Sequence, residues 1–183
     1  MSTVEKVERG VRVELEAEEA ALMRALMEQL LELLGEGPAK DDDDLLASVG
    51  IAEEASTPED PVLARLFPDA YGDEEGEAAG EFRRYTEMGL RDGKRAAAGT
   101  VLAGLAGPPT AAGGVDTVIS DADAQAWLRA LNDVRLALGT RLDISEEWYE
   151  EAERLDPRDP RTAMFAAYDW LTMLQESLVR TIW

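Results

Sequence analysis

The spacing of apolar residues changes period several times along the chain, and each change marks a new element. Val4 and Val7, then Val11, Val13 and Leu15, flank Glu8-Arg9-Gly10. The alternation over Val11 to Leu15 predicts a half-buried strand, and the glycine turn before it predicts a β-hairpin. From Ala17 the period becomes helical, with Ala21, Leu22, Ala25, Leu26, Gln29, Leu30, Leu33 and Leu34 along one side. Gly35, Gly37 and Pro38 end that helix. One or two helical turns are expected over Pro61 to Phe67. A long helix follows, capped by Asp73 and running to Leu105, with Phe82, Tyr85, Gly89, Gly93, Ala96, Ala97, Thr100 and Ala103 on one broad face.

Val115 to Ile119 reads as a short strand that would join the hairpin in a three-stranded antiparallel sheet. Ser120 to Leu142 carries the cleanest amphipathic pattern, a stripe of Ala124, Trp127, Leu128, Leu131, Val134 and Leu138. Ser120 is placed as its N-cap, with Asp123 three residues on, and Gly139 as its stop. A short acidic helix is expected from Ser145 to Leu155. A last helix is expected from Arg161 to about Thr181, buried along Met164, Ala167, Tyr168, Leu171, Leu174, Leu178 and Ile182. The pattern therefore predicts a mainly α protein, a helical bundle with a small antiparallel β-sheet made of the N-terminal hairpin and the strand near 115–119. It is read as a single domain over 1–183 with an acidic, mobile insertion near 36–61.

Composition narrows the chemistry. The 183 residues include neither cysteine nor histidine. Disulfides, thiolate nucleophiles and the commonest general base and metal ligand are thereby excluded. The four aspartates Asp41 to Asp44 lack the spaced pattern of a calcium loop, so neither a metal nor a cofactor is expected. Without a membrane-length apolar run or a signal-peptide profile, the cytoplasm is the expected location. The net charge of −21 is uneven, being −16 over residues 1–80, +1 over 81–141 and −6 over 142–183. An acidic surface repels phosphates, so nucleic acid is an unfavoured partner, and only the central third suits an anionic one.

Two groups of residues carry what chemistry there is. Arg84, Arg91 and Arg95, with Lys94 beside them, lie on one side of the long helix and form the candidate face for a protein partner, since guanidinium forks suit carboxylates and phosphates. Arg135 falls in the apolar stripe of the helix after Ser120. The guanidinium must either snorkel out past Leu138 or find partners inside, and a buried polar network is expected with Glu87, Asp169 or Glu176 as the carboxylate and Gln175 completing it. On that reading, removing Arg135 costs about 3 to 5 kcal/mol. A pocket in which Arg135 binds a ligand is the alternative. Trp183, a large aromatic at the chain's end, is expected to dock onto this domain or onto a second copy in a homodimer.

Four stretches carry a resemblance to a known family: FPDAY at 67–71, EFRRYTEMGLRDGK at 81–94, AWLRALNDVRLALGTRL at 126–142 and YDWLTMLQESLV at 168–179. Together they resemble an uncharacterised actinobacterial family, the domain of unknown function numbered twenty-seventeen. The family carries no established activity and so implies no catalytic residue. Its genes often neighbour the Clp-protease adaptor and a cysteine-biosynthesis module with a sulfur-carrier protein, which implies a cytosolic regulatory setting. The expectation is a non-catalytic interaction or regulatory protein. The alternative is a DNA-binding transcriptional regulator that uses the arginine-bearing central helices.

Overall fold

A computed structural model describes residues 2–35, 60–68 and 76–183. The acidic insertion with Asp41 to Asp44, and the proposed cap Asp73, lie outside the described residues. The chain opens with strand β1 (Thr3–Val7), strand β2 (Gly10–Leu15) and helix α1 (Ala17–Leu34). After α2 (Pro61–Leu66) and the long α3 (Gly76–Leu105) come β3 (Val115–Ile119), α4 (Asp121–Leu142), α5 (Trp148–Arg154) and α6 (Pro160–Ile182). This is a mainly helical protein with one small antiparallel sheet, ordered β1-β2-β3.

The sheet forms because its alternation is consistent on three strands. Val11, Val13 and Leu15 face the core, and the register pairs Val11 with Ile119 and Leu15 with Val115, so the buried ends of β3 lie on the same side. Arg12 faces outward, where its guanidinium donates to both carboxylate oxygens of Asp116 at 2.9 and 2.6 Å. Gly10 ends the two-residue turn with φ 138°, and a Cβ there would lie 2.1 Å from the Ile119 carbonyl oxygen. Only glycine permits β2 and β3 to begin pairing that close to the turn.

Helix α1 starts at a capping box. The backbone N–H of Glu16 donates to the Glu19 carboxylate at 2.9 Å, an acid at both ends of the box in place of the usual serine or threonine. Its buried stripe is Ala20, Met23, Leu26, Met27, Leu30 and Leu34. The expected stripe was rotated from this one: Ala21, Ala25 and Gln29 are exposed, and the two methionines were overlooked. The long helix α3 differs in the same way. Its described core positions are Ala97, Ala98, Val101 and Leu105, whereas Gly89, Gly93, Ala96 and Ala103 of the expected face are exposed. Small residues blur a hydrophobic period, and α3 is rich in them.

Helix α4 begins as expected, with the Ser120 hydroxyl accepting the Asp123 N–H at 3.0 Å. It does not stop at Gly139. It runs three residues further and ends on Asp143, held in the left-handed region at φ 51°. Gly139 instead makes room for a neighbour, since a Cβ there would meet the Tyr168 ring at 3.4 Å. Ala124, Trp127, Leu131 and Val134 of α4 are buried in the molecule's centre, and the helix lies against α1, α2, α3, α6 and β2. Helix α6 starts at Pro160, with the Asp159 carboxylate accepting the Arg161 N–H at 2.9 Å, and packs Ala167, Leu171, Leu174 and Leu178 inward. The short α5 begins at Trp148, three residues later than expected, and its tryptophan stacks on Tyr149 and meets the Tyr168 ring edge-on. Trp183 is 78% exposed, so it does not dock onto its own domain.

Candidate functional site

The cations of α3 are turned toward the protein itself. A helix leaves its last carbonyls without intrahelical donors, and α1 has no basic residue in its last turn. Arg91 donates to the Leu34 carbonyl, and Arg95 to those of Gly35 and Leu31. In the other direction, Arg24 of α1 donates to the Leu105 carbonyl at the end of α3, at 3.0 Å. The two helices are therefore antiparallel and cap each other's C-terminal ends with arginine. Arg91 also holds Glu87 one turn back at 2.7 Å. The Arg84 side chain lies outside what is described.

Lys94 reaches a partner that the sequence pattern had hidden. Its Nζ lies 2.6 Å from Oδ1 of Asp133 on α4, a residue only 4% exposed. Among the described residues Asp133 is the one buried charged side chain. Its place beside Val134 and Leu131 gave it the look of the polar flank, and only the crossing of α3 over α4 puts it inside. Burial pushes the Asp133 carboxyl above the usual carboxylate range, against the opposing pull of the Lys94 hydrogen bond and charge. Over this pair lies Phe67, from the loop after α2, with the Arg91 guanidinium carbon 4.8 Å and the Lys94 nitrogen 5.8 Å from its ring centre. Both cations thus gain an aromatic face as well as a hydrogen bond.

Arg135 is half-buried between α4 and α6 and is hydrogen-bonded, as expected, to the last helix. Its Nη1 donates to Gln175 Oε1 at 2.6 Å and its Nε to Thr172 Oγ1 at 3.1 Å, while the guanidinium lies 5.3 Å from the Tyr168 ring centre. The expected carboxylate is missing from these bonds. Glu87 holds Arg91, Asp169 accepts the Tyr149 hydroxyl at 2.9 Å, and Glu176 pairs with Arg180 at 3.0 Å. The Asp169 hydrogen bond raises the Tyr149 pKa above the ordinary phenol value. Arg135 thus keeps an uncompensated charge, at the edge of a cleft of about 370 Å3 shared with Arg65, Asn132, Asp143, Ile144 and Tyr168. Thr172 was not foreseen; it lies one turn after Tyr168, whose carbonyl its hydroxyl also engages at 2.8 Å.

No group of acids among the described residues is arranged to hold a metal ion, and no helix among them is long and apolar enough to cross a membrane. What the arrangement offers is recognition: a cleft with two guanidinium groups and an aromatic wall, within a strongly acidic chain.

Comparison with known proteins gives the chain its relatives. It is 36% identical over 184 residues to proteins of Mycobacterium bovis and Mycobacterium tuberculosis named oxidative stress regulator AosR, in alignments covering 92% of this chain and 80% of theirs. No solved structure matches. The family model described as domain of unknown function (DUF2017) matches residues 1–182, and the chain belongs to that family.

Proposed function

We propose that the protein is a cytoplasmic regulator acting in the response to oxidative stress, and that it works by non-covalent contact with another protein rather than by catalysis or by binding DNA. The relatives named as oxidative stress regulators support the regulatory part, through an alignment that spans nearly the whole chain. The observation that favours a protein partner over DNA is the use of the central cations. Arg91 and Arg95 are turned onto the carbonyls of α1 and Lys94 onto Asp133, so these three cations of α3 are engaged within the fold and have less to offer a phosphate backbone.

The absence of cysteine limits how such a regulator responds to oxidant. No thiol of this chain can be the sensor, so the oxidant signal reaches it through the partner, through a change in its own abundance or through a methionine such as the exposed Met173. Clp proteolysis and cysteine or sulfur-carrier metabolism, the gene setting of the family it resembles, are where the partner is sought first.

Two measurements test the reading. Affinity capture of the full chain from a native lysate of the source organism, before and after peroxide challenge, is expected to recover a specific protein whose amount changes with the challenge. Titration of the chain into duplex DNA at physiological salt is expected to give no saturable binding. Saturable DNA binding that weakens steeply with rising salt would instead establish the transcription-factor alternative.

A further inference from the structure

The cleft at Arg135 has features that a merely structural arginine does not require. Its two side-chain acceptors, Thr172 and Gln175, are neutral, so they fix the direction of the guanidinium without cancelling its charge. The Tyr168 ring supports one face of it. Nη2 has no hydrogen-bond acceptor among the described residues, and neither has the Arg65 side chain that lines the same cleft from α2. The single acid of the lining is Asp143, so the cleft carries a net charge of about +1 in a chain whose total is −21. Leu136, Ile144 and the Tyr168 ring form an apolar part of the remaining wall, beside the polar Asn132 and Thr140.

We infer that this cleft is a binding site for a small organic carboxylate. Two arginines supply fork-shaped donors for the carboxylate, and the apolar wall receives the carbon body behind it. The lining charge balances one negative charge, which suits a monocarboxylate better than a phosphate with nearly two. The volume lies within the range of small-molecule sites. This site does not depend on the identity of any protein partner, because its claim is tested on the isolated chain.

The test is titration calorimetry of the full chain with benzoate at low ionic strength, with inorganic phosphate in a parallel arm. Saturable one-to-one binding of benzoate, weakened by added sodium chloride, is expected. Arg65→Ala should reduce the affinity about tenfold, the effect of losing one charge-assisted hydrogen bond, without shifting the thermal unfolding curve, since Arg65 is exposed. Asp143→Asn should increase the affinity, because it removes the lining's only negative charge while asparagine tolerates the φ of 51° at that position. Lack of saturable heat with benzoate, tighter binding of phosphate than of benzoate, or unchanged affinity in either variant would overturn the inference.

Discussion

Lys94 and Asp133 meet at 2.6 Å across the crossing of α3 and α4, with the carboxylate almost entirely removed from solvent and the lysine side chain 20% exposed. Each is costly to bury without the other. Asp133→Ala should therefore destabilise the protein by about 3 kcal/mol, the lower end of the range for breaking a buried pair, since Lys94 can still turn partly toward water. Urea denaturation of the variant measures this. A loss below about 1 kcal/mol, as found for exposed pairs, would mean that the carboxylate is not buried.

The same pair has a pH signature. The folded protein holds the Asp133 proton more tightly than the unfolded chain does, because burial raises the carboxyl pKa above 3.8. Its contribution to stability is then greatest below the unfolded pKa and is lost as pH rises through the folded one. Relative to Asp133→Asn, which cannot titrate, the wild type should gain stability as pH falls from neutral toward about 4. Asp116 and Asp159 act oppositely. Arg12 and Arg161 hold their carboxyls below the usual range, so their contributions are present above the unfolded pKa and fade as pH falls through the folded one. Comparing wild type and Asp133→Asn by thermal unfolding at matched pH cancels those common terms.

For Arg135 the neutral partners lower the expected cost. Arg135→Ala leaves Gln175 without its donor but no buried carboxylate stranded, so the loss should be about 2 kcal/mol, as for a hydrogen bond to a charged group. Arg135→Lys should recover less than half, because an ammonium cannot reach Thr172 and Gln175 together as the fork does. Chemical denaturation of both variants separates this from the larger loss that a carboxylate partner would give.

Two glycines of α3 should respond in opposite directions to alanine. At Gly104 a Cβ would lie 2.9 Å from the fully buried Trp127 ring, which has nowhere to move, whereas at Gly99 nothing stands within 4 Å. Gly104→Ala should destabilise by about 1 to 2 kcal/mol from overpacking. Gly99→Ala should stabilise by about 0.5 to 1 kcal/mol from helix propensity alone. Thermal melts of the two variants read the difference in sign.

The strands, the start of α4 and the buried side of α6 were legible in the sequence because large apolar residues repeat there without interruption. Val11, Val13 and Leu15, or Leu171, Leu174 and Leu178, leave one reading of the period. In α1 and α3 alanines and glycines fit several faces equally well, and the chosen faces were rotated from the true ones. The arginines of α3 were visible as a group, but what they face was not. That Arg91 and Arg95 cap α1 depends on how two helices distant in sequence pack antiparallel, which no local period encodes. Asp133 shows the same limit from the other side. Nothing in the local pattern of α4 marks it as buried, and only the crossing of α3 encloses it.

Helix α4 bears on the remaining question of how the molecule comes apart. It rests on four other helices and on the sheet, and its partners come from both ends of the chain. Departure of α1, α2, α3 or α6 would uncover part of the surface of α4, the helix on which Trp127, Leu131 and Val134 are buried. Backbone amides in the middle of α4 should therefore exchange with deuterium only through global unfolding. The four helices packed on it, from both sides of it in sequence, would be held to a single cooperative transition by the one helix they all cover.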